Sequence, residues 1–136
     1  MSNCVFCAIL NKEIPARVIA ENENALAFLD VNPISDGHTI IISKKHYKFL
    51  SETPVEVLSD MIKLCHEVAN KIANSSLKPW GFNYLSNEGK IAGQEVMHIH
   101  MHVIPKYGKE EGFKFGLEKN HYVNNDLDYI QKQINK

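Results

Sequence analysis

The chain has 136 residues, 44% of them hydrophobic and 23% charged, with a formal net charge of −1. That suits one domain around one core and excludes the net positive charge with which proteins bind nucleic acid or an anionic membrane. No stretch approaches the roughly 20 apolar residues of a membrane span, and the N-terminus lacks the basic region and small-residue cleavage site of a secretory signal, so a cytoplasmic protein is expected.

In chain order, residues Val5 to Asn11 suit a short helix, stopped before Pro15, because the residue preceding a proline is pushed out of the α region. Arg17–Glu21 and Ala25–Leu29, separated by Asn22, Glu23 and Asn24, predict a hairpin. Asp36-Gly37 is a turn signal, and the β-branched run Thr39–Ile42 predicts a buried strand behind it. Thr53-Pro54-Val55-Glu56 has the capping-box pattern with proline at the first helical position. From there Leu58, Met61, Ile62, Cys65, Val68, Ala69 and Ile72 recur at helical spacing, which predicts the main amphipathic helix. Phe82–Ser86 predicts a strand, Asn87-Glu88-Gly89 a turn, Met97–Ile104 a strand before Pro105, and Asn124–Ile134 a final helix. Short turns between strands predict an α+β domain with an antiparallel sheet.

Met97-His98-Ile99-His100-Met101-His102-Val103-Ile104 alternates strictly. In a strand this puts His98, His100 and His102 on one face at roughly 7 Å intervals, with Ile99, Met101 and Val103 towards the core. Two chemistries suit aligned imidazoles. They share a zinc ion, or one attacks phosphorus as a neutral nucleophile and leaves readily in a second step. Upstream, Asn87-Glu88-Gly89-Lys90-Ile91-Ala92-Gly93-Gln94-Glu95-Val96 opens onto this strand. Its glycines let the backbone approach a ligand, and successive amides there suit phosphate oxygens.

Gly93-Gln94-Glu95-Val96-Met97-His98-Ile99-His100-Met101-His102-Val103-Ile104-Pro105 resembles the signature GQxVxHxHxHxxP of the histidine triad (HIT) family. The resemblance runs from Cys4 to about Gly112, through Ala27–Asp30, Gly37–Thr39, Ser43–His46 and Ser86–Gly89, which divides the chain into a domain over 1–112 and a tail over 113–136. It implies a five-stranded antiparallel sheet with one long and one or two short helices, joined to a second sheet across a homodimer, and a small nucleotide as substrate. His100 would be the nucleophile and carry a covalent nucleoside monophosphate. His102, Gly93 and the backbone at Glu95 and Val96 would hold phosphate, and His98 and His38 would orient the nucleophile. Phe6, Ile9, Phe28, Asp30 and Val31 would form the purine and ribose pocket, with Asn87 and Gln94 as polar contacts around phosphate.

The family resemblance implies hydrolysis, because transferase relatives have glutamine at the position of His102. The phosphoramidase members carry serine where this chain has Glu95. Besides a nucleotidyl hydrolase acting on phosphoramidates or related conjugates, two readings stay open: a phosphohydrolase with the three histidines on a catalytic zinc, and a nucleotide-binding module with little turnover.

Cys4, Cys7 and Cys65 cannot all pair, so reduced thiols or metal-bound thiolates are expected. Cys4-Val5-Phe6-Cys7 has metal-ligand spacing, which a redox pair or buried thiols would also permit. The resemblance adds His46 and His98 as further ligands, which implies a structural zinc tying the N-terminal segment to the histidine strand. His66 and His121 receive no role.

Overall fold

The apolar runs pair into one antiparallel sheet in the computed structural model, which describes residues 3–114, 116–119 and 125–136. Strands β1 (Val18–Glu21), β2 (Ala25–Leu29), β3 (Thr39–Ser43), β4 (Gly81–Leu85) and β5 (His100–Lys106) lie in the order β1-β2-β3-β5-β4. Three helices accompany them: α1 (Val5–Leu10), α2 (Val55–Ala73) and α3 (Leu127–Ile134). The expected α+β class and five-stranded sheet are both present.

β2 and β3 are buried on both faces, which is why their sequences are nearly continuous apolar runs rather than alternating ones. One face carries α2. There Met61, Leu64, Cys65, Val68 and Ile72 pack on Ala25, Ala27, Ile41, Ile99 and Val103. The other face carries Phe6 of α1 over Leu26, Phe28, Ile40 and Ile42. Asn22 and Asn24 tie the β1–β2 turn to α2 through the carbonyl and carboxylate of Asp60, at 2.8 and 2.9 Å.

Several local expectations need correction. Pro54, not Thr53, is the N-cap of α2, and the Thr53 hydroxyl donates to the Phe49 carbonyl (2.7 Å) rather than to the helix. The buried stripe of α2 is rotated towards Val57 and Leu64, leaving Ile62 53% exposed. β5 continues through Pro105 because the ladder with β3 ends at Val103, opposite Thr39. A proline N–H is therefore not missed on that flank. The backbone bends at residues 96–98, and β5 begins only at His100. The final helix starts at Leu127, where the Asp126 side chain accepts from the Tyr129 N–H; Asn124 and His121 lie outside the described residues.

Gly37 shows how closely the chain passes over itself beside the histidine strand. Its φ is +92°, and a Cβ there would meet Pro105 at 3.2 Å and Leu77 at 3.3 Å. Any side chain would face left-handed backbone strain and a tight fit against Pro105 and Leu77.

Candidate active site

Alternation along β5 does for His100 and His102 what the sequence predicts. Ile99, Val103 and the half-buried Met101 turn to the α2 face, while His100 and His102 line a cavity of about 580 Å³ on the α1 face. A volume of that size accommodates a small organic ligand. Register explains the walls: Phe28 pairs with Ile40, Ile40 with His102 and His102 with Leu85, so one row of the sheet forms the floor. Phe6 meets His100 edge-on with ring centres 5.0 Å apart. Ile9, Asp30, Val31, His38, Asn87, Gly93, Glu95 and Val96 complete the expected set at this cavity.

Hydrogen bonds fix which nitrogen of each ring carries its proton. His100 Nδ1–H donates to the His98 carbonyl at 2.7 Å, which leaves the lone pair on Nε2. The Ile34 N–H donates to His38 Nδ1 at 3.1 Å, so the His38 proton sits on Nε2 and is donated to His102 Nδ1 at 2.9 Å. The remaining proton of His102 is then on Nε2. Asp30 Oδ2 stands 3.6 Å from His38 Nε2 and favours the same arrangement.

Burial pushes His38, His100 and His102 below the ordinary imidazole range, His102 to about 4 with the help of its histidine neighbours. For His100 the bond to His98 and the carboxylates of Asp30 and Glu95 oppose that shift without reversing it. The result is a neutral ring with a free lone pair beside a neutral ring with a free N–H. Such a pair suits attack on phosphorus with one oxygen held alongside.

His98 takes another direction. The bend before β5 turns its ring away from the cavity into a cluster with Cys4, Cys7 and His46. Its Nδ1 lies 3.3 Å from Cys4 Sγ, 3.6 Å from Cys7 Sγ and 3.2 Å from His46 Nδ1, and Cys7 Sγ is 3.3 Å from His46 Nδ1. A tetrahedral zinc with bonds of about 2.0 Å to nitrogen and 2.3 Å to sulfur has edges of roughly 3.3 to 3.8 Å. The donor set therefore fits that ion. His98 Nε2–H donates to the Ser43 carbonyl at 2.8 Å, which points the Nδ1 lone pair into the cluster, as a metal ligand requires. Burial raises the Cys4 thiol, so a thiolate there calls for a cation.

This geometry corrects two expectations. The three histidines do not share a cleft and cannot share one metal ion, so the reading with all three on a catalytic zinc is discarded. His98 meets His100 through its backbone carbonyl rather than its ring.

Gln94 also departs from expectation. It is 3% exposed and does not line the cavity. Its amide donates to the Lys48 and Val96 carbonyls, at 2.9 and 3.1 Å, and accepts from the Gly89 N–H at 2.8 Å, so every polar atom is used in holding the loop closed. That loop presents Gly93, Glu95 and Val96. Gly93, at φ +103°, has Asn87 Nδ2 3.0 Å from where a Cβ would stand.

Sequence reasoning passed over the Ser43 carbonyl and the Ile34 N–H, which fix two ring tautomers. Backbone groups carry no residue-type signal. It also passed over Leu85 and Phe113, which line the cavity and look like ordinary core residues in sequence. His66 is exposed on α2, away from this site.

The HIT domain family model matches residues 11–109. An uncharacterized HIT-like protein of Methanocaldococcus jannaschii is 44% identical over 132 residues, covering 96% of this chain and 98% of its own. The adenosine 5'-monophosphoramidase of Saccharomyces cerevisiae is 39% identical over 131 residues, covering 96% and 80%. Among solved structures, a HIT family protein from Bacillus subtilis superposes with a TM-score of 0.88 at 37% identity, covering 98% of this chain and 96% of that one. A zinc-bound histidine triad protein from Mycobacterium smegmatis gives 0.77 at 39% identity, covering 85% and 84%. With its paired cavity histidines, a matching family model over most of its length and relatives above 30% identity, the chain belongs to the histidine triad (HIT) family.

Proposed function

We propose that this protein is a nucleotidyl hydrolase that cleaves purine nucleoside phosphoramidates or related nucleotide conjugates through a nucleotidyl-His100 intermediate. The observation that carries the reading is the lone pair on His100 Nε2, left there by the Nδ1 bond to the His98 carbonyl, in a cavity with an apolar wall of Phe6, Ile9, Phe28 and Val31. A purine is flat and apolar on its faces, which suits that wall. Asp30 at the rim suits ribose hydroxyls. The names of relatives support the bond type, because the yeast protein is a phosphoramidase.

Nε2 attacks the phosphorus, the N–P bond forms as the bond to the leaving group breaks, and the leaving nitrogen or oxygen takes a proton from water. The phosphorus oxygens are held by His102 Nε2–H and the backbone amides near Glu95 and Val96. Water then attacks phosphorus, the N–P bond breaks, and neutral His100 and a nucleoside monophosphate are released. Nδ1–H stays bonded to the His98 carbonyl throughout, sharing the positive charge of the intermediate.

Cys4, Cys7, His46 and His98 would hold a structural zinc. With four protein ligands it offers no open position to a substrate, and it ties α1, which carries the Phe6 wall, to the start of β5. Two copies would pair along β4, the sheet edge opposite β1. The groove beside that edge, lined by Ile62, Cys65, Phe82, Tyr84 and Met101, supports this: an unpaired edge with an apolar flank is costly to leave in water.

Four outcomes are expected. His100→Ala lowers turnover of an adenosine phosphoramidate at least about a thousandfold, and slowed resolution lets mass spectrometry find a nucleoside monophosphate adduct on His100. Undiminished turnover in that variant overturns the nucleophile assignment, and tight binding by the parent protein without cleavage of any conjugate favours a binding module. In the pH profile of kcat/KM, a nucleophile whose pKa is lowered stays neutral until pH falls through the lowered value, so the acid limb lies below the ordinary imidazole value of about 6.5. A limb at or above that value contradicts this. The purified protein carries one zinc per chain, and Cys4→Ser abolishes it and lowers Tm by roughly 5 °C or more; a metal-free protein of unchanged Tm would refute the site. Light scattering gives twice the 15.5 kDa chain mass, and a monomeric mass would rule out the paired sheets.

A further inference from the structure

A ligand with a phosphate commonly meets lysine or arginine, yet among the described residues no lysine or arginine lines this cavity. Among the described residues that line it, the side chains with formal charge are two carboxylates, Asp30 and Glu95, and both act electrostatically on His100. They stand on opposite flanks of the nucleophilic strand. Asp30 follows β2, on the side of the apolar wall. Glu95 lies on the loop that enters β5, with Asn87, Gly93 and Leu85 of the β4 flank.

The Glu95 side chain is exposed at the rim and, among the described residues, makes no side-chain hydrogen bond or ion pair. It does not hold the loop closed, because Gln94 does. Its charge therefore faces whatever occupies the mouth of the cavity. Displacement by His100 is in line, so the leaving group departs on the side of phosphorus away from the ring and has to exit through the open mouth.

We propose that Glu95 is a specificity-determining residue that rejects negatively charged leaving groups and favours protonated, cationic ones. This rests on the hydrolase reading above and narrows it: the favoured substrates are nucleotides conjugated through nitrogen to amines bearing a second, positively charged nitrogen, and conjugates with acidic partners are poor substrates. Charges separated by several ångströms at a partly solvated rim interact enough to change rates about tenfold and are screened by salt.

The test uses three phosphoramidates of AMP, formed with ethylenediamine, ethanolamine and glycine, whose leaving groups differ in charge and little in size. In the parent protein, kcat/KM normalised to the ethanolamine conjugate is expected to be about tenfold higher for the ethylenediamine conjugate than for the glycine one. Glu95→Gln removes most of that ratio and Glu95→Lys inverts it. Raising ionic strength from 0.05 to 0.5 M compresses the ratio in the parent protein and not in Glu95→Gln. The same order of Kd, measured on His100→Ala, reads the preference without turnover. A ratio that Glu95→Gln leaves unchanged, in both rate and Kd, overturns the role of Glu95. Absence of cleavage of all three conjugates with the Kd order intact overturns the hydrolase reading alone.

Discussion

A single hydrogen bond, 2.7 Å from His100 Nδ1 to the His98 carbonyl, organises the rest of the site. It joins two residues that a regular strand would keep apart. In an extended strand the carbonyl of residue i does not reach the ring of residue i+2, so the contact needs the bend at 96–98. That bend in turn is held by groups far away in sequence. The His98 ring is fixed by Ser43 on one nitrogen and by the Cys4, Cys7 and His46 cluster on the other, and the Ile99 N–H donates to the Tyr47 carbonyl at 2.7 Å. The tautomer of His100 is thus set by a cluster whose residues do not line the cavity.

Among the described residues no lysine or arginine lines the cavity, which under the proposed reading bears on how phosphate is held. Neutral N–H donors and backbone amides bind oxygen by direction rather than by net charge, and they cost little to desolvate. Cationic side chains would bind the ground state of every phosphate strongly. They would also favour the ionised form of any anionic competitor. Here Asp30 and Glu95 oppose the burial of His100 only in part, so the ring stays neutral and its lone pair available. Under the proposed reading, the same absence of fixed positive charge leaves selectivity among leaving groups to the carboxylate at the rim.

Much of this was legible in the residues themselves. Period-two alternation located His100 and His102 on one face, because side chains of a strand point alternately to either side, and the β-branched run at 39–42 identified the central strand. The polar run Asn22, Glu23 and Asn24 marked the turn of the β1–β2 hairpin. What failed did so for nameable reasons. Alternation is blind to a bend, so His98 was grouped with His100 and His102 although its ring turns towards residues 52 and 94 positions away. Thr53 has the composition of a cap, but its hydroxyl is taken by Phe49. Pro105 was read as a strand end because sequence does not say that β3 stops opposite Val103. Gln94 was assigned to the ligand by the family resemblance alone, whereas the Gly89 N–H and the Lys48 and Val96 carbonyls claim its amide.

The placement of the cysteines follows from the same geometry. α1 has only six residues, too few to be stable as a helix on its own. It buries a single residue, Phe6, and that ring is both the packing contact with Phe28 and the edge-on neighbour of His100. Phe6, with the half-buried Ile9 and Leu10 beside it, is a small anchor for a wall of the cavity, since fixing each backbone residue costs about 1–2 kcal/mol. Cys4 is the N-cap of α1 and Cys7 lies within it, so any ion shared with His46 and His98 pins the helix at its first turn. The wall then keeps its distance from His100 without adding bulk to the cavity. A larger apolar helix would achieve the same stability only by filling the space the ligand needs.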